Sequence, residues 1–272
     1  MTNIDTRKIV DYWSEQAKTY GSSPQANTPD YWLREIECSN IVRILNELGH
    51  ASVLDIGCGN GYTTLRLHEA FPQHRFLGGD LSPEMIHVAQ ESLCALGSAA
   101  ARNVRFEVID VLDLKRYESS FDVVVSVRCL INLPSAELQW AAFKQIWSAL
   151  KKNGQCVLIE NFQEPQDALN KVREGLGLPS IPVRWHNHFF SESKLVAECE
   201  GLFEVAESIP ITSTYYLITR VVYSKLCQLE GRVPDYDHPI YQIATKLPIL
   251  GDFGPVRLLR LIKKDGRHAI PT

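Results

Sequence analysis

No CxxC pair occurs among the seven cysteines of this 272-residue chain, Cys38, Cys58, Cys94, Cys129, Cys156, Cys199 and Cys227. A zinc site or a redox dithiol is therefore not expected, and the scatter suits reduced thiols in a cytoplasmic protein. The opening MTNIDTRKIV lacks the apolar core of a signal peptide. Nor does any apolar run approach the roughly 20 residues that span a bilayer. Lysine and arginine number 28 against 32 acidic residues, a net charge of -4, and never cluster densely enough to follow a phosphate backbone, so duplex binding lacks its usual drive. Internal repeats and low-complexity tracts are absent as well. What remains is 45% hydrophobic and 22% charged, enough apolar material for the core of one α/β domain with additions.

What is present is order. Residues 5–45 read as two helices, one face marked by Ile9, Tyr12, Trp13 and Ala17, broken by the turn-rich GSSPQANTPD. Strand and helix patterns then alternate: SVLDIG, GYTTLRLHEAF, RFLGGD, SPEMIHVAQESLCAL with Ser82 as N-cap, VRFEVIDV, FDVVVSVRC, SAELQWAAFKQIWSAL and GQCVLIEN. Such alternation predicts a doubly wound, mostly parallel sheet covered on both faces. Beyond it, SESKLVAECEG reads as helix, FEVAESIPITSTYYLITRV as a long β-rich run and GPVRLLRLIKK as a terminal strand. These last two predict an antiparallel pair finishing the sheet, with a lid-like insertion between them at about 224–253.

The stretch VLDIGCGNGYTT places Gly57, Gly59 and Gly61 behind an apolar strand. Glycine admits positive φ and close backbone approach, so a nucleoside-type ligand can lie against such a turn. Asp55 stands two residues before the first glycine and could orient the loop by accepting backbone N–H bonds. Asp80, followed by Leu81, closes the next strand nineteen residues past Gly61, where a carboxylate can take both ribose hydroxyls. Asp110 ends the third strand and could accept from an adenine amino group, with Val111 against the ring. The spacing is GxGxG rather than GxGxxG, which favours a ligand without a pyrophosphate.

Taken in order, VLDIGCGNG, GGDLSPEMIHVAQ, VIDVLDL, FDVVVSVRCLINL and LKKNGQCVLIE resemble the motifs of class I S-adenosylmethionine-dependent methyltransferases over residues 53 to about 160. The resemblance implies a Rossmann-like sheet with an antiparallel last strand and S-adenosyl-L-methionine as cofactor. It places the glycine loop at the methionine part, Asp80 at the ribose and Asp110 at the adenine. YWSEQAKTYG is similar to the family's N-terminal cap, which makes Tyr12, Trp13 and Tyr20 candidates to close over the cofactor, where an aromatic face would attract a sulfonium. Core packing is the other reading of these rings. Arg34 is a candidate partner for the methionine carboxylate, or else a solvated helix charge. The chain then divides into a helical cap (1–48), a cofactor-binding core (50–164) and acceptor-side segments (165–272).

Methyl transfer from a sulfonium is an in-line displacement that needs alignment and a dry site; a hydroxyl acceptor also needs a base, an amine less so. RWHNHFF offers His186 and His188, which share a face if the segment is extended, beside Trp185. No third ligand accompanies them, so a metal-free mechanism is expected. Strand ends four and five nominate Arg128, Asn132, Glu160 and Asn161, Arg128 either holding an anionic group or paired internally. Tyr215 and Tyr216, with Asp235, Tyr236, Asp237, His238, Asp252 and Phe253, could close the acceptor pocket, one tyrosine of the pair facing inward on a strand. The resulting expectation is methylation of a small polar acceptor, a hydroxyl of a sugar or secondary metabolite. An amine acceptor, an NAD-dependent oxidoreductase and a noncatalytic cofactor-binding module are the rivals. No NPPY-like tetrapeptide follows the fourth strand, so base methylation and nucleic-acid partners are not expected.

Overall fold

The computed structural model describes residues 6–97 and 100–265; the first five residues of the opening segment examined for a leader lie outside the described residues. Helices α1 (Thr6–Tyr20) and α2 (Tyr31–Leu45) precede the sheet, as expected from the sequence. The alternating core follows as β1 (Ser52–Ile56), α3 (Tyr62–Ala70), β2 (Arg75–Asp80), α4 (Pro83–Ala95), β3 (Val104–Val108), β4 (Phe121–Val127), α5 (Ala136–Ala149) and β5 (Leu150–Asn161). After α6 (Gln163–Gly175), α7 (Glu192–Cys199) and β6 (Phe203–Ile209), the chain passes through a helical excursion to β7 (Val256–Lys263). The strands form one seven-stranded sheet in the order β3-β2-β1-β4-β5-β7-β6, with β7 antiparallel to both neighbours and the other pairings parallel.

Period-two alternation feeds two cores. Val53, Val123, Val125 and Val157 face α2 and α3, whereas Leu54, Val124, Cys156 and Leu158 face α5 and the segment around Phe190. Ser82 caps α4, its hydroxyl accepting from the Met85 amide at 3.2 Å. No helix among the described residues is long and apolar enough to cross a membrane.

The β-rich reading of 203–221 holds only to Ile209. Residues Ser213–Tyr216 (α8), Leu217–Val222 (a π-helix) and Tyr223–Leu229 (α9) are helical, so the connection begins at Pro210 rather than near 224. Tertiary burial overrides the β propensity of Thr, Tyr, Ile and Val. Tyr215, Thr219, Tyr223 and Cys227 recur every four residues and are all buried. Four residues overshoot an α-helical turn by about 40°, and the wider π turn offsets that drift, keeping the four side chains on one face. Helix α6 has no counterpart in the sequence reading. Asp110 lies in a loop two residues beyond the end of β3 at Val108.

Asp30 joins the N-terminal helices to this excursion. It caps α2 through the Leu33 amide at 3.1 Å, accepts from the Tyr215 hydroxyl and pairs with Arg220, while only 2% exposed. Burial and the neighbouring carboxylate push the Tyr215 hydroxyl well above its ordinary range, so it remains a donor. Removing one member of such a buried pair leaves an uncompensated charge. Asp30→Ala is expected to lower stability by about 3–5 kcal/mol, measured by urea unfolding, with Asp30→Asn less damaging because the amide oxygen can still cap α2.

Candidate active site

A parallel sheet opens a crevice where its strand order reverses, here between β1 and β4, at the carboxyl ends of the strands. A cleft occupies that place, lined by Gly57, Gly59, Asp55, Asp80, Asp110 and Arg34 among others. Gly57 (φ 73°) and Gly59 (φ 55°) take the left-handed conformation, and a Cβ on either would lie 2.4 Å from Cys129 or 2.9 Å from the Asn27 amide. The bareness of the loop is thus demanded first by the protein's own packing.

Asp55 does not hold the loop. It is 1% exposed and accepts from the Thr64 hydroxyl at 2.6 Å; burial pushes its carboxyl up to about 6, against that hydrogen bond and the pull of Arg34. The loop is tied instead by its Gly57 and Cys58 amides donating to the Gly79 carbonyl, at 2.7 and 3.1 Å. Asp80 completes the tie, one oxygen accepting from the Gly59 amide and the other from the Ser82 amide, each at 2.9 Å. Desolvation raises its pKa while these amides oppose the rise. A carboxylate has about four lone-pair sites, so Asp80 retains room for two further donors. Asp110 accepts from the Leu112 amide at 2.8 Å, leaving its second oxygen free beside Val111, Leu81 and Met85 in the cleft wall.

Arg34 is not a solvated charge. It is 3% exposed, donates to Glu37 at 3.1 Å and to the Thr63 hydroxyl, and borders the cleft. Arg128, at φ 50°, pairs with the same carboxylate, its Nε 2.8 Å from Glu37 Oε1. One buried carboxylate therefore carries two guanidinium groups. Glu160 does not reach the crevice: wholly buried, it accepts from the Ser126 hydroxyl and the amides of Cys129, Leu130 and Ile131, and burial pushes its carboxyl up to about 8. It anchors the loop that presents Arg128 and Asn132, and Asn132 in turn donates to the Arg128 carbonyl at 2.8 Å.

A second cavity adjoins the first and shares Trp13, Asn27, Arg128 and Asn132 with it. Asn161, His186, Tyr216 and Arg220 form its other walls. His186 is 3% exposed, its ring centroid 4.6 Å from that of Tyr12, 5.6 Å from Trp13 and 5.1 Å from Trp185. Burial and then Arg184 lower its pKa to about 4, so the ring is neutral at neutral pH, and Nδ1 has no partner.

The two histidines do not share a face. A turn at Trp185–His186 breaks the segment, and the His188 amide donates to the Ile131 carbonyl at 2.6 Å, turning exposed His188 into a separate groove beside Gln139 and Trp140. Tyr20 and Trp185 are 41% and 52% exposed and border neither cavity; Tyr12 packs on His186 behind the second. Tyr215 and Tyr216 sit on a helix rather than a strand, Tyr215 turned to Asp30 and Tyr216 to the second cavity. Of the later acidic loops, Tyr236 reaches that cavity, His238 stacks on Tyr223 at 4.6 Å and Asp252 pairs with Arg257 at 2.6 Å.

A methyltransferase-domain family model matches residues 53–154. Residues 53–154 thus form a methyltransferase domain. The chain is 26% identical over 180 residues to a malonyl-[acyl-carrier protein] O-methyltransferase of Bacillus cereus, 62% of this chain and 61% of that protein. It is 29% identical over 197 residues to a tRNA U34 carboxymethyltransferase of Campylobacter lari, 68% of this chain and 65% of that one. The chain spans less than two thirds of the length of these curated relatives. A crystal structure of magnesium protoporphyrin IX methyltransferase from Synechocystis PCC 6803 with bound S-adenosylhomocysteine shares the fold at TM-score 0.62, 17% identity, and coverage of 96% of this chain and all of that one.

Around the methyltransferase cleft, the sequence reading passed over Glu37, Asn27, Thr63 and Arg220. Their only signal was a polar residue at a position that proves buried, as for Glu37 and Thr63, or half-buried, as for Asn27 and Arg220. His186 supplies a test. Below its ordinary 6.5 the unfolded chain binds a proton that the native ring refuses until about 4, so this group costs stability as pH falls through that window. His186→Phe should flatten the difference between urea-unfolding free energies at pH 7 and pH 4.5 relative to the parent; parallel profiles would count against a neutral buried ring.

Proposed function

We propose that this chain transfers a methyl group from S-adenosylmethionine to a small polar acceptor, with the cofactor in the cleft and the acceptor in the adjoining cavity. The observation that carries this reading is the meeting of the two spaces at Trp13, Asn27, Arg128 and Asn132, where a donor methyl and an acceptor atom would face each other. The donor set fits the cofactor: two free sites on Asp80 match ribose hydroxyls, the free oxygen of Asp110 matches an amino group, and the Arg34–Arg128 pair exceeds the charge of Glu37 by one, which suits a carboxylate.

Bound there, the cofactor supplies a methyl already activated by its sulfonium. The chain's own part is alignment and dryness. Three aspartates on the cofactor side oppose no acid on the acceptor side, and Trp13 borders both spaces where they meet. A hydroxyl acceptor would require His186 as base, since His188 faces elsewhere; a group that holds a proton only below about 4 accepts one poorly at neutral pH. An acceptor atom that needs no deprotonation suits the cavity better. We place the protein in the cytoplasm on the strength of its free thiols.

Calorimetry tests the cofactor half. S-adenosylhomocysteine should bind with measurable heat and NAD should not. Asp80→Ala, folded by circular dichroism, should weaken binding at least about tenfold, the loss of charged hydrogen bonds. Absence of heat with the folded parent chain would overturn the assignment.

A further inference from the structure

Resting on that reading, we infer that the second cavity selects an acceptor bearing a carboxylate, gripped by Arg184 with Arg128 behind it. The walls of this cavity contain Arg128, Arg184 and Arg220 and not one Asp or Glu among the described residues. The charges behind the walls do not cancel. Arg220 is matched by Asp30 and held between the rings of Tyr216, Tyr236 and Tyr241, at 5.1, 4.9 and 5.3 Å. Arg34 and Arg128 form ion pairs with Glu37 alone, Asp55 acting on Arg34 without an ion pair, so guanidinium groups outnumber their paired carboxylate at the boundary between the cavities. Arg184 has no side-chain hydrogen bond or ion pair among the described residues, which leaves a further positive charge in excess.

One of these surplus charges meets the carboxylate of the cofactor; the other calls for an anion in the acceptor space. A guanidinium fork recognises a carboxylate through two parallel N–H bonds, while a cation lacking a carboxylate would face repulsion from the guanidinium charges left in excess. Two further atoms define what the carboxylate must be attached to. Asn161 and His186, 8% and 3% exposed, line the same cavity, and their buried Oδ1 and Nδ1 atoms have no hydrogen-bond partner among the described residues. Buried polar atoms without partners are costly, and a hydroxyl or amino group on the acceptor would satisfy them. The acceptor class is thus a small hydroxy or amino acid in its ionised form. If the methyl goes to the carboxylate itself, the bond to sulfur breaks as the carboxylate oxygen forms the new one, leaving a neutral thioether and a methyl ester with no proton to remove.

The test uses the full chain saturated with S-adenosylhomocysteine and matched pairs of small hydroxy and amino acids with their primary amides. Thermal shift should show acids that stabilise the complex where their amides do not, with the effect fading as sodium chloride rises. Arg184→Ala should weaken the best acid about tenfold or more, and Arg184→Lys should restore part of the loss. The inference is overturned if no acid exceeds its amide, or if Arg184→Ala binds the acid as the parent does. Calorimetry with S-adenosylhomocysteine on the same preparation before it is saturated separates the cases: heat without acid preference sinks only this inference, while no heat sinks the cofactor assignment beneath it.

Discussion

The carboxylate of Asp30 ties together parts of the chain that lie far apart in sequence. Its partners Tyr215 and Arg220 are 185 and 190 residues away, and its third bond caps its own helix. Burying an ion pair brings little net stability, because desolvation offsets the attraction. What it brings here is placement. The excursion between β6 and β7 packs on the N-terminal helices, and together they supply two walls of the second cavity, Tyr216 and Arg220 on one and Trp13, Asn27 and Leu33 on the other.

A second buried acid does the same for the sheet side of the site. Glu160 gathers three successive amides and a hydroxyl, so the chain leaving β4 must turn at once, and Arg128 takes a left-handed conformation there. That turn throws the Arg128 side chain back toward Glu37 on α2 rather than into solvent. The result is a charge gradient across the junction. Acids line the cofactor side and guanidinium groups the acceptor side, an arrangement suited to holding a cationic donor against an anionic acceptor while both lose their water.

The sequence made the first cavity legible and the second nearly opaque. Strand ends are set by local patterns, so Asp80 and the glycine turn could be located from alternation alone, and even Asp110 was misplaced by only two residues. The walls of the second cavity come from segments whose conformation is decided by distant partners. Residues 213–229 have β-rich composition, yet burial of Tyr215, Thr219, Tyr223 and Cys227 makes them helical. His186 and His188 look equivalent until the turn at Trp185–His186 and one amide bond to Ile131 send them to different spaces. Glu37 was invisible for a plainer reason: an acid in a helix reads as solvated until the arginines that bury it are known.

The glycine turn shows how a local motif can carry long-range information. Its missing Cβ atoms would strike Cys129, from the loop that Glu160 anchors, and Asn27, from the linker that leads to Asp30. Both neighbours lie against the junction between the two cavities, Asn27 by lining both and Cys129 by lining the first. Close approach of these segments to the bare backbone therefore sets the width of the passage through which a methyl group would move. A side chain at either glycine would push the walls apart before it touched any ligand, so the motif constrains the geometry of transfer as well as the room for a cofactor.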